Sequence, residues 1–151
     1  MDIRLITPKS LQPSTQAQVM AAALAAISGA RITITDDLAA VEGVDAVHTD
    51  VWVSMGEPES VWQERAELLR PYRVTTHLLA RTGNADVRFM HCLPAFHDAS
   101  TTVGANIAAA TGLSDGIEVS DEVFTSSASL VWEQAAARVC TTEALLVATL
   151  G

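Results

Sequence analysis

Residues 89–98, with the sequence FMHCLPAFHD, hold the densest group of chemically capable side chains in the chain. The segment begins apolar, as a buried strand would, and then places His91 and Cys92 shortly before Pro94. Proline has no backbone N–H and restricts the residue before it, so we expect the strand to end there. Open α/β sheets bind their ligands at the carboxyl ends of strands. The segment therefore predicts a functional site without choosing its chemistry.

Two alternatives compete with a catalytic role for this segment. Cysteine is among the most buried residue types, so Cys92 on its own would favour a structural role. His91, Cys92, His97 and Asp98 are also possible metal ligands, but they lack the close pairs of a structural zinc site. We therefore expect no metal and no cofactor here.

A second candidate lies in residues 50–58, with the sequence DVWVSMGEP. Its Ser-Met-Gly-Glu-Pro part is typical of turns and predicts a long loop after a strand at 46–49. Asp50 could bind an ammonium group, and Ser54 with backbone N–H groups around Gly56 could bind a carboxylate. The alternative is that Asp50 caps the next helix and Trp52 belongs to the core. The spacing leaves both interpretations open.

Composition limits the class of protein. The chain has 151 residues, 49% of them hydrophobic and 18% charged, which predicts one globular domain over 1–151. The net charge of −9 argues against nucleic acid or an anionic membrane as a partner. Two cysteines, Cys92 and Cys140, suggest no disulfide framework, and we expect a reducing, cytoplasmic location. We expect neither a signal peptide nor a membrane span.

Short β-prone segments alternate with helical patterns along the chain. Strands are predicted at 3–7, 31–35, 46–49 and 87–90, and the longest helix at about 130–150. This alternation predicts an α/β fold: a three-layer, open, mostly parallel, Rossmann-like sheet. A helix before Gly29 carries Met20, Ala23, Leu24 and Ile27 on one apolar face. Arg138, in the last helix, either reaches the surface or binds an anion, and its spacing does not decide.

Residues 50–56 and 91–98 together resemble the ornithine carbamoyltransferase family, and residues 118–124 and Arg138 fit the same pattern. The resemblance covers essentially the whole chain. It implies transfer of a carbamoyl group from carbamoyl phosphate to the δ-amine of ornithine, which gives citrulline and phosphate. It also implies that the sheet lacks the family's first central strand.

The resemblance implies a role for each matching residue. Asp50 and Ser54 would hold the α-ammonium end of ornithine, and the backbone at Met55 would help with its carboxylate. Cys92 would lie beside the δ-amine, about an ornithine's length from Asp50, and accept its proton. An alkylamine has a pKa of about 10.4, so a positioned base is needed near pH 7.

The carbamoyl phosphate end is implied in the same way. Leu93 would offer its carbonyl to the carbamoyl amide, Arg138 would polarise the carbamoyl oxygen, and Cys92 would lie beside both. His91 and Pro94 would support them. The family usually has Glu-Asn before this arginine and His two positions after it, whereas this chain has Ala136, Ala137 and Cys140.

The family's amino-terminal half, with its Ser-Thr-Arg-Thr phosphate-binding loop, has no counterpart here. We therefore expect the chain alone to be inactive and to need a carbamoyl-phosphate-binding chain, or to self-associate. A non-catalytic amino-acid-binding module or a truncated remnant is the alternative. Without the family's central strand, the strands at 3–7 and 46–49 would either pair directly or leave a slot between them.

Overall fold

The computed structural model describes residues 1–53 and 57–151. Four strands alternate with six α-helices in an α/β arrangement, which confirms the predicted fold class. The strands are β1 (Asp2–Ile6), β2 (Arg31–Thr35), β3 (Ala46–Thr49) and β4 (Arg88–His91). The helices are α1 (Thr15–Ser28), α2 (Trp62–Leu69), α3 (Thr76–Ala80), α4 (Thr102–Thr111), α5 (Asp121–Phe124) and α6 (Val131–Leu150). Within the described residues, no helix combines the length and apolarity that a membrane crossing requires.

The strands form two parallel pairs. β1 pairs with β2 and β3 pairs with β4, and no ladder joins β1 to β3 in the described part of the chain. Whether β1 pairs with β3 or leaves a slot beside it stays a prediction, because the two strands belong to different compact units. The chain divides into two compact units, residues 1–42 and 43–151. The single domain over 1–151 stays a prediction.

The first unit consists of β1, α1 and β2. Ser14 caps α1 by accepting the Ala17 N–H, and Gly29 ends it in the left-handed conformation with φ 72°. The predicted apolar face of α1 does form, but it is exposed: Leu24 is 65% and Ile27 85% accessible. Only Pro8 and Val41 are buried in this unit. The unit therefore has almost no hydrophobic core of its own, because the large apolar side chains of α1 are exposed and none of its residues is buried.

The second unit contains most of the buried core. Phe89 in β4, Val119 and Val123 around α5, and Val131 at the start of α6 are completely buried. An extended segment through Val119 forms an isolated parallel bridge with Val74. Backbone hydrogen bonds from Val74 to Glu118 and from Ser120 to Val74 hold that bridge. This packing encloses β4 and places its carboxyl end next to residues 117–120.

Helix α6 follows the predicted range closely but is covered only at its start. Val131 is its one buried residue, and Val139, Leu145 and Val147 are more than 60% exposed. The helix contains no Gly or Pro, and its Ala, Leu, Glu and Gln residues favour the helical conformation.

Candidate functional site

Asp50 and Cys92 meet where β3 and β4 end. The register pairs Thr49 with His91, so the next residue of each strand lies beside the other. The Cys92 thiol donates to Asp50 Oδ1 over 2.9 Å, and the Val51 N–H donates to the same oxygen over 2.7 Å. Asp50 thus contacts Cys92 directly, whereas the prediction placed Asp50 about an ornithine's length from the reacting end. The alternative in which Asp50 caps the next helix finds no support among the described hydrogen bonds, although Trp52 is buried as that alternative expected.

The contact between Cys92 and Asp50 shifts the pKa values of the two side chains in opposite directions. Burial, and then the Asp50 carboxylate beside it, raises the pKa of the Cys92 thiol to about 11. The hydrogen bond from Cys92 lowers the pKa of the Asp50 carboxyl. At neutral pH the pair is thus a thiol and a carboxylate. Cys92 can accept a proton only after it passes its own to Asp50.

His91 holds the backbone that follows Cys92. Its imidazole is completely buried, and its Nδ1 accepts the Leu93 N–H over 2.9 Å. Leu93 has a positive φ of 57° and a cis peptide bond to Pro94. A non-glycine residue in this region is strained and needs support from its surroundings. His91 thus supports the Leu93 backbone, while its role in a reaction stays a prediction.

Two further residues hold the site, and sequence reasoning assigned them no role. Glu118 Oε1 lies 3.3 Å from His91 Nε2 and accepts the Phe96 N–H over 2.7 Å. Gln134 in α6 accepts the His91 N–H through Oε1 over 3.1 Å. The signal for Glu118 was a carboxylate between Ile117 and Val119, because charged residues are almost never buried unless they are paired. Gln134 carries only the weaker signal of an amide near the start of an Ala-rich helix.

The other predicted site residues are not joined to this pair. Arg138 is exposed on α6, one helical turn beyond Gln134 on the same side, on an exposed face with Thr142 and Leu146. No described hydrogen bond or ion pair connects it to Cys92 or Leu93. Ser54 and Met55, predicted to bind ornithine, lie outside the described residues.

The four possible metal ligands are split between separate contacts. His91 faces Glu118 and Cys92 faces Asp50. His97 Nδ1 lies 2.7 Å from Asp121 Oδ1, and its ring stacks on Phe124 at 3.8 Å between centroids. His97, Asp98 and Asp121 have ligand atoms within 4.8 Å of one another, but both carboxylates are partly exposed and nothing else in the described structure points to an ion there.

Comparison with known proteins gives consistent matches. The family described as "Aspartate/ornithine carbamoyltransferase, Asp/Orn binding domain" matches residues 1–149. A catabolic ornithine carbamoyltransferase of Rhizobium meliloti (strain 1021) is 57% identical, over 100% of this chain and 46% of the relative. An ornithine carbamoyltransferase of Actinobacillus pleuropneumoniae serotype 5b (strain L20) is 53% identical, over 99% of this chain and 46% of the relative.

Solved structures agree with the sequence matches. Ornithine carbamoyltransferase from Pyrococcus furiosus has a TM-score of 0.77 and 34% identity, covering 96% of this chain and 40% of its own. The enzyme from Gloeobacter violaceus has a TM-score of 0.76 and 28% identity, covering 100% of this chain and 43% of its own. The chain thus spans about half the length of the relatives that it matches.

Proposed function

Because the chain belongs to the aspartate/ornithine carbamoyltransferase family, we propose that it is the ornithine-binding half of an ornithine carbamoyltransferase. The assembled enzyme transfers a carbamoyl group from carbamoyl phosphate to the δ-amine of L-ornithine. The observation that carries this proposal is the Asp50–Cys92 pair, which lies at the ends of two parallel strands beside the strained Leu93 backbone.

Asp50 has one oxygen available for ornithine. Its Oδ1 already accepts the Val51 N–H and the Cys92 thiol, and no described hydrogen bond occupies Oδ2. We assign the α-ammonium of ornithine to Oδ2, with Ser54 and the Met55 backbone helping to bind that end. The ornithine chain then runs past the pair, with its δ-amine on the sulfur side.

The pair can remove the proton that blocks attack by the amine. At pH 7 about one δ-amine in a thousand is unprotonated. The sulfur takes the ammonium proton as it passes its own proton to Asp50. The free nitrogen then attacks the carbamoyl carbon, the bond from that carbon to the phosphate oxygen breaks, and the leaving phosphate takes the second nitrogen proton. The Leu93 carbonyl accepts from the carbamoyl amide, and Arg138 stabilises charge on the carbamoyl oxygen.

A citrulline assay tests the assignment. The purified chain is mixed with ornithine and carbamoyl phosphate, with and without a separately expressed amino-terminal half of a relative. We expect citrulline only in the complete mixture, because the relatives are about twice as long as this chain. Citrulline from the chain alone would refute the expected inactivity. No citrulline in either mixture would favour the non-catalytic binding module.

Cys92→Ala tests the sulfur in the complemented enzyme. We expect turnover to fall by a factor of about 100 or more, as on loss of a general base, while ornithine binding is retained. Cys140→Ala is the matched control, because Cys140 is a free, exposed cysteine far along α6. Lost binding with unchanged turnover would contradict the assigned role.

The partner and the compartment are part of the same proposal. The exposed apolar side chains of α1 and α6 favour association with a carbamoyl-phosphate-binding chain or, without one, with another copy. Sedimentation at several concentrations distinguishes these, because a complementing half should suppress self-association. Both cysteines are free, which favours the cytoplasm.

A further inference from the structure

Glu118 is a buried charged residue that the proposed reaction does not use. Its side chain is completely buried, in the extended segment that leads to α5. Desolvating a carboxylate is costly, so a residue of this kind is retained at such a position only where it meets specific partners. Its partners lie at both ends of the loop formed by residues 91–96.

At the far end of the 91–96 loop, Glu118 and Ile117 each form a hydrogen bond with the Phe96 backbone. Glu118 Oε1 accepts the Phe96 N–H over 2.7 Å, and the Phe96 carbonyl accepts the Ile117 N–H over 2.8 Å. A hydrogen bond to a carboxylate is shorter and stronger than one between neutral groups. The backbone at Phe96 is therefore fixed against residues 117 and 118.

At the near end, Glu118 faces the His91 imidazole. His91 Nδ1 accepts the Leu93 N–H over 2.9 Å, so this nitrogen carries no proton and the neutral ring carries its proton on Nε2. Nε2 lies 3.3 Å from Glu118 Oε1. His91 Nε2 and Glu118 Oε2 are both buried without a hydrogen-bond partner among the described residues. The two unsatisfied atoms belong to the two side chains that face each other here.

We propose that Glu118 is a positioning residue for carbamoyl transfer: it holds His91 and the Phe96 N–H together, and through His91 it fixes the backbone of Leu93 and the thiol of Cys92. This inference rests on the proposed function for its catalytic meaning. Its structural content can be tested on this chain alone, because neither His91 nor Phe96 needs a substrate to contact Glu118.

The test compares Glu118→Ala, Glu118→Asp and Glu118→Gln by amide hydrogen exchange and by alkylation of the two thiols. The Phe96 amide touches Glu118 directly, whereas the Leu93 amide is held only through His91. We expect Glu118→Ala and Glu118→Asp to reduce protection of both amides by about tenfold or more, as for loss of a hydrogen bond to a charged group. The alkylation rate of Cys92 relative to Cys140 should rise with them.

Glu118→Gln is the conservative variant. Its carbonyl oxygen can accept at the position of Oε1, and its amide nitrogen takes the place of Oε2, which has no described hydrogen bond. We expect it to restore Leu93 protection and the wild-type thiol ratio. Glu122→Ala is the control, because Glu122 follows four residues later, is exposed, and contacts Thr76 instead of the loop.

Unchanged Leu93 protection and an unchanged thiol ratio in both Glu118→Ala and Glu118→Asp would overturn the proposal, even if Phe96 alone lost protection. The Phe89 amide, which donates to the Ala128 carbonyl inside the core, reports global unfolding, and Glu118→Asp covers the case in which Glu118→Ala does not fold. In the complemented enzyme, we expect Glu118→Asp to lower kcat more than it raises KM for ornithine. Absence of citrulline from the complete mixture with the unmodified chain would defeat the proposed function. The exchange and alkylation results would still decide the role of Glu118.

Discussion

The chemistry of the site depends on the hydrogen bond between Cys92 and Asp50. A half-buried thiol that donates to a carboxylate is held in its protonated form, and the carboxylate is held ionised. Cys92 is therefore not a ready thiolate nucleophile, since only the thiolate of cysteine is strongly nucleophilic, and this state is the one that the proposed proton relay requires. We therefore expect the Cys92 thiol to react slowly, although the site is open to solvent.

Alkylation as a function of pH tests this state. The Cys92 thiol, with its pKa raised to about 11, should react more slowly than Cys140 at pH 8, because less of it is thiolate. Asp50→Asn removes the charge that disfavours the thiolate, so the Cys92 pKa should fall and its rate at pH 8 should rise several-fold. Cys140 in the same sample is the internal control. Equal rates for Cys92 and Cys140 in the unmodified chain would contradict the raised pKa.

At the scale of elements, a close turn brings residues 117–118 against the loop after β4. Gly116 has a φ of 107°, and a Cβ there would clash with the Val119 carbonyl and lie 2.8 Å from the His97 carbonyl. Only glycine permits both the backbone conformation and this approach. The position of Glu118 therefore depends on a glycine two residues before it.

Gly116→Ala should lower the free energy of unfolding by about 3 kcal/mol or more, because left-handed backbone strain adds to steric overlap. Gly112→Ala is the control: its φ is also positive, at 71°, but a Cβ there meets nothing within 4 Å. It should cost only about 1–2 kcal/mol. Urea unfolding measures both, and equal losses would mean that the close approach does not matter.

At the scale of the whole molecule, burial is distributed unevenly between the two units. Residues 1–42 have two buried residues, whereas the second unit contains nearly all of the core. A two-stranded sheet with one helix has little stability of its own without a hydrophobic face to pack against. The first unit should therefore open locally well before the second unit unfolds.

Hydrogen exchange at low protein concentration tests this difference. Amides of the β1–β2 ladder, such as Arg31, which donates to the Met1 carbonyl, and Thr7, which donates to the Thr35 carbonyl, should be protected at least about tenfold less than Phe89 and Leu130 around β4. Addition of a complementing amino-terminal half should raise the protection of β2. Equal protection of the two units in the isolated chain would show that they unfold together.

The sequence by itself determined the local elements and the family. Strands and helices follow from short apolar periodicities, turn residues and helix propensity, and the structure confirms them, including the long helix α6. The motifs at 50–56 and 91–98 were sufficient for the family, because each is contiguous in the chain. Asp50, Cys92, Leu93 and His91 could be selected for the same reason.

Only the tertiary structure decided which of these residues touch. The Asp50–Cys92 contact depends on a strand register 42 residues apart in sequence, and the pairing of Glu118 with His91 depends on a buried segment folding back onto β4. The exposed face of α1 shows the same limit, since periodicity identifies an apolar face but not whether anything covers it. Strand register and the burial of an apolar helix face both arise from packing between distant segments, and no short stretch of sequence encodes them.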